Sequence, residues 1–406
     1  MTFISLKDAN GKAFVLGPPE NDRGDPLTVS LRVSQSLPAG RYTVVWRTIA
    51  SDGHPSHGTF GFVVLPTAVP PAGGLVPQPG VTDTNASRNA PAASSTTVGN
   101  TEEADAASSV SNSLARAFSF VGLLILIGAT AFRTLVLPRA VEINAEIRAR
   151  MERRAAALGL AASVLVILGA LVRINLESEM MSAMPGMQTM SMTDMAMHTR
   201  WGFALRLEIG AAIVALVSFA LAVLRIRGVW LIAGISAVVL AVTPALAGHA
   251  AASPRFTSLM IASDFLHVLG ASSWLGSLFA VIVVGIPICF ALNSAERWSS
   301  VASLVNSFSP LALTSATVVV VSGLIASWVH LEHFSALWQT AYGQTLLIKL
   351  ALVATTLMVG AYNFKRVQPR LVSEEGMTHL RRSGSLELLV GLLVVVVTGF
   401  LTGIAP

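Results

Sequence analysis

Over most of this chain the apolar positions do not alternate or recur at a helical interval; they run on almost unbroken. Eight such runs follow residue 113, at approximately 114–137, 153–175, 202–224, 229–248, 260–288, 308–330, 344–364 and 385–404. A hydrocarbon layer about 30 Å thick is crossed by a helix of about 20 apolar residues, so each run is long enough to span it. Unpaired backbone groups are not tolerated in lipid, which makes every run a helix. Residues 1–65 carry a different period. Leu27, Val29, Leu31 and Val33 alternate with Thr28, Ser30 and Arg32, the pattern of a half-buried strand. Arg41–Ala50 and Thr59–Leu65 are rich in β-branched and aromatic residues, and Ser51-Asp52-Gly53-His54-Pro55 between them is turn-forming. The predicted β module has about four strands, fewer than the roughly seven of a self-sufficient sandwich. From residue 66 to 112 the chain turns to Pro, Ala, Gly, Ser and Thr, too little apolar surface to offset the entropy of ordering, and reads as a disordered linker. The expected fold is an all-α polytopic membrane bundle of about eight transmembrane helices (113–406), preceded by a small, incomplete β-sandwich or barrel domain (1–65).

Composition agrees. Only 12% of residues are charged, about half the usual share of a soluble chain. The net charge of +5 is modest and gives no reason to invoke nucleic acid. The cations matter through their placement. Arg139, Arg148, Arg150, Arg153 and Arg154 follow the first run; Arg225 and Arg227 the third; Arg297 the fifth; Lys365, Arg366, Arg370, Arg381 and Arg382 the seventh. Short loops rich in Lys and Arg stay on the cytoplasmic side. Both termini are therefore expected outside, in a multi-pass protein of the inner (plasma) membrane. Cys289, the single cysteine, has no partner for an internal disulfide and reads as a buried small apolar residue. The chain opens in strand-like sequence without a secretory leader. That conflicts with an external β module and leads us to expect a true start upstream.

On this topology seven of the eight histidines, His54, His57, His198, His249, His267, His330 and His333, fall at the outer end. Beside them runs Met180–His198, with Met184, Met187, Met190, Met192, Met195 and Met197 among small and polar residues. Such a segment has little to pack with, and neutral thioethers suit Cu(I), while imidazole accepts copper in both oxidation states. Asp52 and His54, two residues apart in a turn, offer oxygen and nitrogen donors suited to Cu(II); the plainer reading is a turn Asp beside a surface His. His57 is a nearby extra donor or a solvated residue. Asp264 and His267 share a helix face, as do His330 and His333. Arg206, Glu208, Asp264, His267 and Lys349 lie at similar depth in the outer halves of their runs, and charges in a bilayer usually face the bundle and pair. They suggest one polar chamber opening outward, the alternative being structural ion pairs (Arg206–Glu208, Lys349–Asp264) with His267 a satisfied core residue. Arg133 and Arg173, near run ends, are expected to snorkel to headgroups.

Two stretches carry a family resemblance. Gly40–Arg47, Ser51–Pro55 and Gly58–Val64 resemble the closing half of a CopC copper-binding domain. The resemblance implies Asp52 and His54 as Cu(II) ligands; the family's N-terminal histidine ligand has no counterpart here. Residues 114–405 resemble CopD, the membrane partner often fused behind CopC. The resemblance rests on Gly248-His249-Ala250, on Asp264, His267 and Trp274-Leu275-Gly276, on Phe308-Ser309-Pro310 with Ser322-Gly323, and on Tyr342-Gly343-Gln344, Lys349 and Glu387. It implies copper uptake or homeostasis without covalent catalysis, with copper ions and the bilayer as partners and a periplasmic copper carrier as a further one. The metal carried by the membrane domain is Cu(I) or Cu(II), through His249, His267, His330 and His333. No phosphate-binding loop for a nucleotide occurs. Two rivals remain at this point: a membrane haem redox protein, since paired intramembrane histidines also hold haem, and a copper buffer or sensor without flux.

Overall fold

The computed structural model describes residues 2–21, 28–49, 55–65, 99–183, 193, 196–197, 199–226, 228–248, 256–330, 333–370 and 374–404. They belong to two compact units, divided near residue 106. Asp52, His54, Met184, Met187, Met190, Met192, Met195, His198 and His249 lie outside the described residues.

In the β unit, β1 (Thr2–Asp8), β2 (Ala13–Phe14), β5 (Gly40–Ile49) and β6 (Pro55–Val64) form an antiparallel sheet in the order β2-β1-β5-β6, and β3 (Glu20–Asn21) pairs with β4 (Val29–Ser30). The sheet does not close on itself. Its longest ladder, β5 with β6, runs from Gly40 opposite Val64 to Ile49 opposite Pro55. That register brings together the two ends of the stretch carrying Asp52 and His54. Tyr42 fixes the ladder. Its buried ring stacks on Phe62 and meets the edge of Phe14, both at 5.5 Å between centroids, and its hydroxyl donates to the Pro38 carbonyl at 2.7 Å. The alternation at 27–33 gives only the two-residue β4 and a single bridge between Leu16 and Val33. Val29 and Leu31 are indeed less exposed than Thr28, Ser30 and Arg32. What is missing is a long partner, since β3 offers only two residues.

The second unit is helical. Among the described residues, eight helices are long and apolar enough to cross a membrane: Val110–Arg139, Ala145–Glu179, Arg200–Val223, Val229–Ala247, Thr257–Phe290, Glu296–Val329, Ala341–Val367 and Thr378–Leu401. We refer to them as the first to eighth spans. The first helix reaches back to Gly99, into the stretch whose composition reads as linker. Leu231, Leu313, Leu324 and Met358 are largely exposed on the outside of the bundle, as expected of residues that face lipid. Many hydroxyls inside the spans are satisfied within their own helices: Thr130 donates to Leu126, Ser163 to Gly159 and Thr356 to Leu352. Successive spans are joined alternately at two ends. The arginine end carries the connections near residues 140–144, 224–228, 291–295 and 368–377; the histidine end carries those near 180–199, 248–256 and 330–340.

The fifth span is the most enclosed, with 72% of its apolar window buried against 17% for the sixth and 11% for the seventh. It contains two π-helical turns, Ser272–Gly276 and Val281–Gly285. In the first of these Gly276 lies directly on the first span. A Cβ built at Gly276 would stand 2.0 Å from the Leu124 carbonyl oxygen, and one at Gly128 would stand 2.1 Å from the Gly276 carbonyl carbon. Ser277 donates to the Gly128 carbonyl across the same crossing at 3.2 Å. The two neighbouring residues point elsewhere: Leu275 packs on Gly391 of the eighth span, and Trp274 donates its indole N–H to Glu387 Oε1 at 3.0 Å.

Arg133 and Arg173 each meet a carboxylate on a neighbouring span. Arg133 pairs with Glu152 at 3.3 Å and lies 5.5 Å over the Trp230 ring, while Arg173 pairs with Glu208 of the third span.

Candidate metal-handling site

His267 is an intramembrane histidine held between two spans. It sits in the fifth span, packed against the sixth through small residues. A Cβ at Gly270 would lie 3.2 Å from the Ser315 carbonyl oxygen, and one at Gly323 would lie 3.5 Å from His267 Cε1. One turn before His267, Ser263 donates to the Ser322 carbonyl at 2.9 Å. The contact that orients the imidazole is Nδ1 with Ser322 Oγ, at 3.0 Å. Ser322 has one hydroxyl hydrogen, and its own helix takes it: Oγ donates to the Val318 carbonyl at 2.7 Å. The imidazole must then donate its Nδ1–H to Ser322. Nε2 is left with its lone pair, the state in which a histidine binds a metal, its other nitrogen held from behind.

Three further polar groups surround this position. Lys349 of the seventh span is near enough for its charge to act on both Asp264 and His267, and Tyr342, two turns earlier, interacts with Asp264. The fifth, sixth and seventh spans thus bring Asp264, His267, Ser322, Tyr342 and Lys349 together in the half nearer the histidine end. Tyr342 and Ser322 were visible in the sequence only as members of short motifs. A hydroxyl in an apolar run announces no role until its partner is known.

The five charged or imidazole groups expected in one chamber fall into two sets. Arg206 and Glu208 are two residues apart and so face different ways on their helix. Glu208 turns to Arg173 on the second span, and Arg206 contacts the exposed Met197, its Nη1 2.7 Å from the thioether sulfur. The third span packs against the second and fourth, away from the Asp264–Lys349 group. At the histidine end His330 closes the sixth-span helix, and His333 is exposed in the connection that follows. Among the described residues no three His, Cys, Asp or Glu side chains converge as a metal-ligand group.

Comparison with known proteins places these features in a setting. Residues 1–65 match the CopC domain, residues 107–254 match the copper resistance protein D-like N-terminal domain, and residues 302–401 match copper resistance protein D. Asp52 and His54 lie in the first region, His249 in the second, and Ser322, His330, His333 and Lys349 in the third; Asp264, His267 and Trp274 fall between the last two. The chain is also similar to the copper transport protein CutJ of Bacillus subtilis (strain 168), at 24% identity over 405 residues, which is 99% of this chain and 68% of that protein. No solved structure matches it significantly.

Proposed function

We propose that this chain, a CopC–CopD fusion by its domain matches, gathers copper on the outer face of the inner membrane and passes it into or across the bundle. Copper is the substrate here. The observation that carries the reading is His267. It is an intramembrane imidazole with Nδ1 anchored on Ser322, beside Asp264, Tyr342 and Lys349. It sits in a chain whose matched domains belong to copper-resistance families.

In this reading the methionine-rich segment and the Asp52–His54 turn meet copper first, as Cu(I) on thioethers and Cu(II) on oxygen and nitrogen donors. A soluble periplasmic carrier supplies it. His249, His330 and His333 would then hand copper on from that segment to His267. The Lys/Arg-rich connections stay cytoplasmic. Lys349 balances Asp264, so an incoming cation meets little net charge and is held chiefly by the neutral imidazole. Binding of that kind is selective for soft metals yet weak enough to release them.

The test is copper accumulation in cells lacking endogenous copper uptake, measured by elemental analysis. His267→Ala should reduce accumulation to the level of cells without the protein, whereas Glu296→Gln at the exposed arginine end should leave it unchanged. Equal accumulation with and without His267 would reduce the protein to a copper buffer. A Soret band in the purified protein would replace copper with haem.

A further inference from the structure

Trp274, Asn363 and Glu387 meet inside the bundle, and the copper route above makes no use of them. Glu387 lies nine residues into the eighth span from Thr378, about 13 Å along the helix, and is only 4% exposed. Its two oxygens each accept one hydrogen bond, Oε1 from the Trp274 indole N–H and Oε2 from Asn363 Nδ2, both at 3.0 Å. Among the described residues no Lys, Arg or His stands within ion-pair distance of it. The charged groups on the surrounding elements are Arg381 and Arg382 on its own helix and Lys365 and Arg366 just beyond Asn363. On the fifth span Asp264 and His267 lie about two turns or more from Trp274. A structural ion pair does not account for this carboxyl group, and an ionisable side chain kept in a bilayer without one calls for a function.

Asn363 supplies the second observation. Its Oδ1 is buried and has no hydrogen-bond partner, although buried acceptors are almost always paired. The amide that donates to Glu387 from one end therefore holds an idle acceptor at the other. Rotating it by a half-turn would exchange the two. As found, the arrangement suits a carboxylate, which accepts at both oxygens. With the amide reversed it suits a carboxylic acid, whose O–H on Oε2 donates to Oδ1 while Trp274 still donates to Oε1. Three residues thus satisfy the carboxyl group in both protonation states with no counter-ion. Trp274 and Asn363 both lie in π-helical turns, Ser272–Gly276 and Asn363–Val367, a local geometry that recurs at functional sites. Gly360 brings the seventh-span backbone close, a Cβ there standing 3.4 Å from Glu387 Oε1.

We propose that Glu387 is an intramembrane proton-binding site, taking a proton on Oε2 as the Asn363 amide reverses and releasing it again, so that copper passage is coupled to proton movement. The proton-binding part stands alone; the coupling rests on the transport reading above. The test has two arms, both on the full-length protein in lipid. In the first, infrared difference spectra are recorded as the pH is stepped. A carboxylic-acid carbonyl band should appear on acidification, be absent in Glu387→Gln and shift in Trp274→Phe, which keeps the carboxyl group and removes one donor. A band unchanged in Glu387→Gln overturns the site, and if that variant does not fold, a band indifferent to Trp274→Phe overturns it. In the second arm, copper entry into vesicles is followed with an internal pH dye. A proton gradient should accelerate entry, and Glu387→Gln should lose that acceleration while still binding copper. Entry indifferent to the gradient in the unmodified protein overturns the coupling. Absence of any copper entry overturns both coupling and transport, leaving the infrared arm to decide the proton site.

Discussion

His267 is oriented in part by the Ser322 hydroxyl, beside a backbone hydrogen bond with Val319. Ser322→Ala removes the acceptor of Nδ1–H and leaves the ring free to turn and to change tautomer. Loss of such an outer contact typically weakens metal affinity about 10–100-fold. Competition titration with a Cu(I) chelator should therefore show Ser322→Ala weakened by that order and His267→Ala weakened further. Equal affinity for Ser322→Ala and the unmodified protein would show that the hydroxyl only packs. Glu208 and Arg173 form a second residue-scale test, since their side chains are 13% and 20% exposed. Glu208→Gln strands a guanidinium in the bundle and should cost on the order of 3 kcal/mol, whereas the double substitution Arg173→Met, Glu208→Leu should recover most of it. Denaturation in detergent micelles measures both. The sequence showed that these charges must find partners but not which ones. Arg206–Glu208 was one pairing the sequence left open; the match of Glu208 to Arg173 requires knowing that the third span lies on the second.

Among elements, the spans were the most legible part of the chain, because a long apolar run has few other fates in lipid. Their bends were not. The π-helical turns at Ser272–Gly276 and Asn363–Val367 leave no trace in hydropathy, yet they help set which way Trp274 and Asn363 face. In the β unit, alternation marked the inner face at Val29 and Leu31 correctly, but a strand also needs a neighbour of equal length, which no local pattern supplies. The first and fifth spans make the sharpest prediction at this scale. Gly276→Ala would press a methyl group into the Leu124 carbonyl and should destabilise the bundle by at least about 3 kcal/mol. Gly234→Ala, with nothing nearer than Thr130 Cγ2 at 3.9 Å, should be tolerated. Thermal unfolding of the two variants in the same detergent checks the contrast; comparable stabilities would mean that the fifth span can shift away from the first.

For the molecule as a whole, the two ends differ in chemistry, with arginines gathered at one and histidines and methionines at the other. The charge rule turns this into the orientation we propose, with the C-terminus outside. Alkaline phosphatase joined after Pro406 should be active and green fluorescent protein joined there should be dark; the reverse pair of results would put the histidine end in the cytoplasm. The contact of bare backbones at Gly128 and Gly276 bears on how such a bundle can move. With no side chain between them, the two helices meet backbone to backbone, which leaves little room for one to slide past the other. The sixth and seventh spans bury the least of their apolar length. Ser322 is carried by the sixth span, Lys349 by the seventh and His267 by the fifth, so any shift among these three helices would change the imidazole's surroundings.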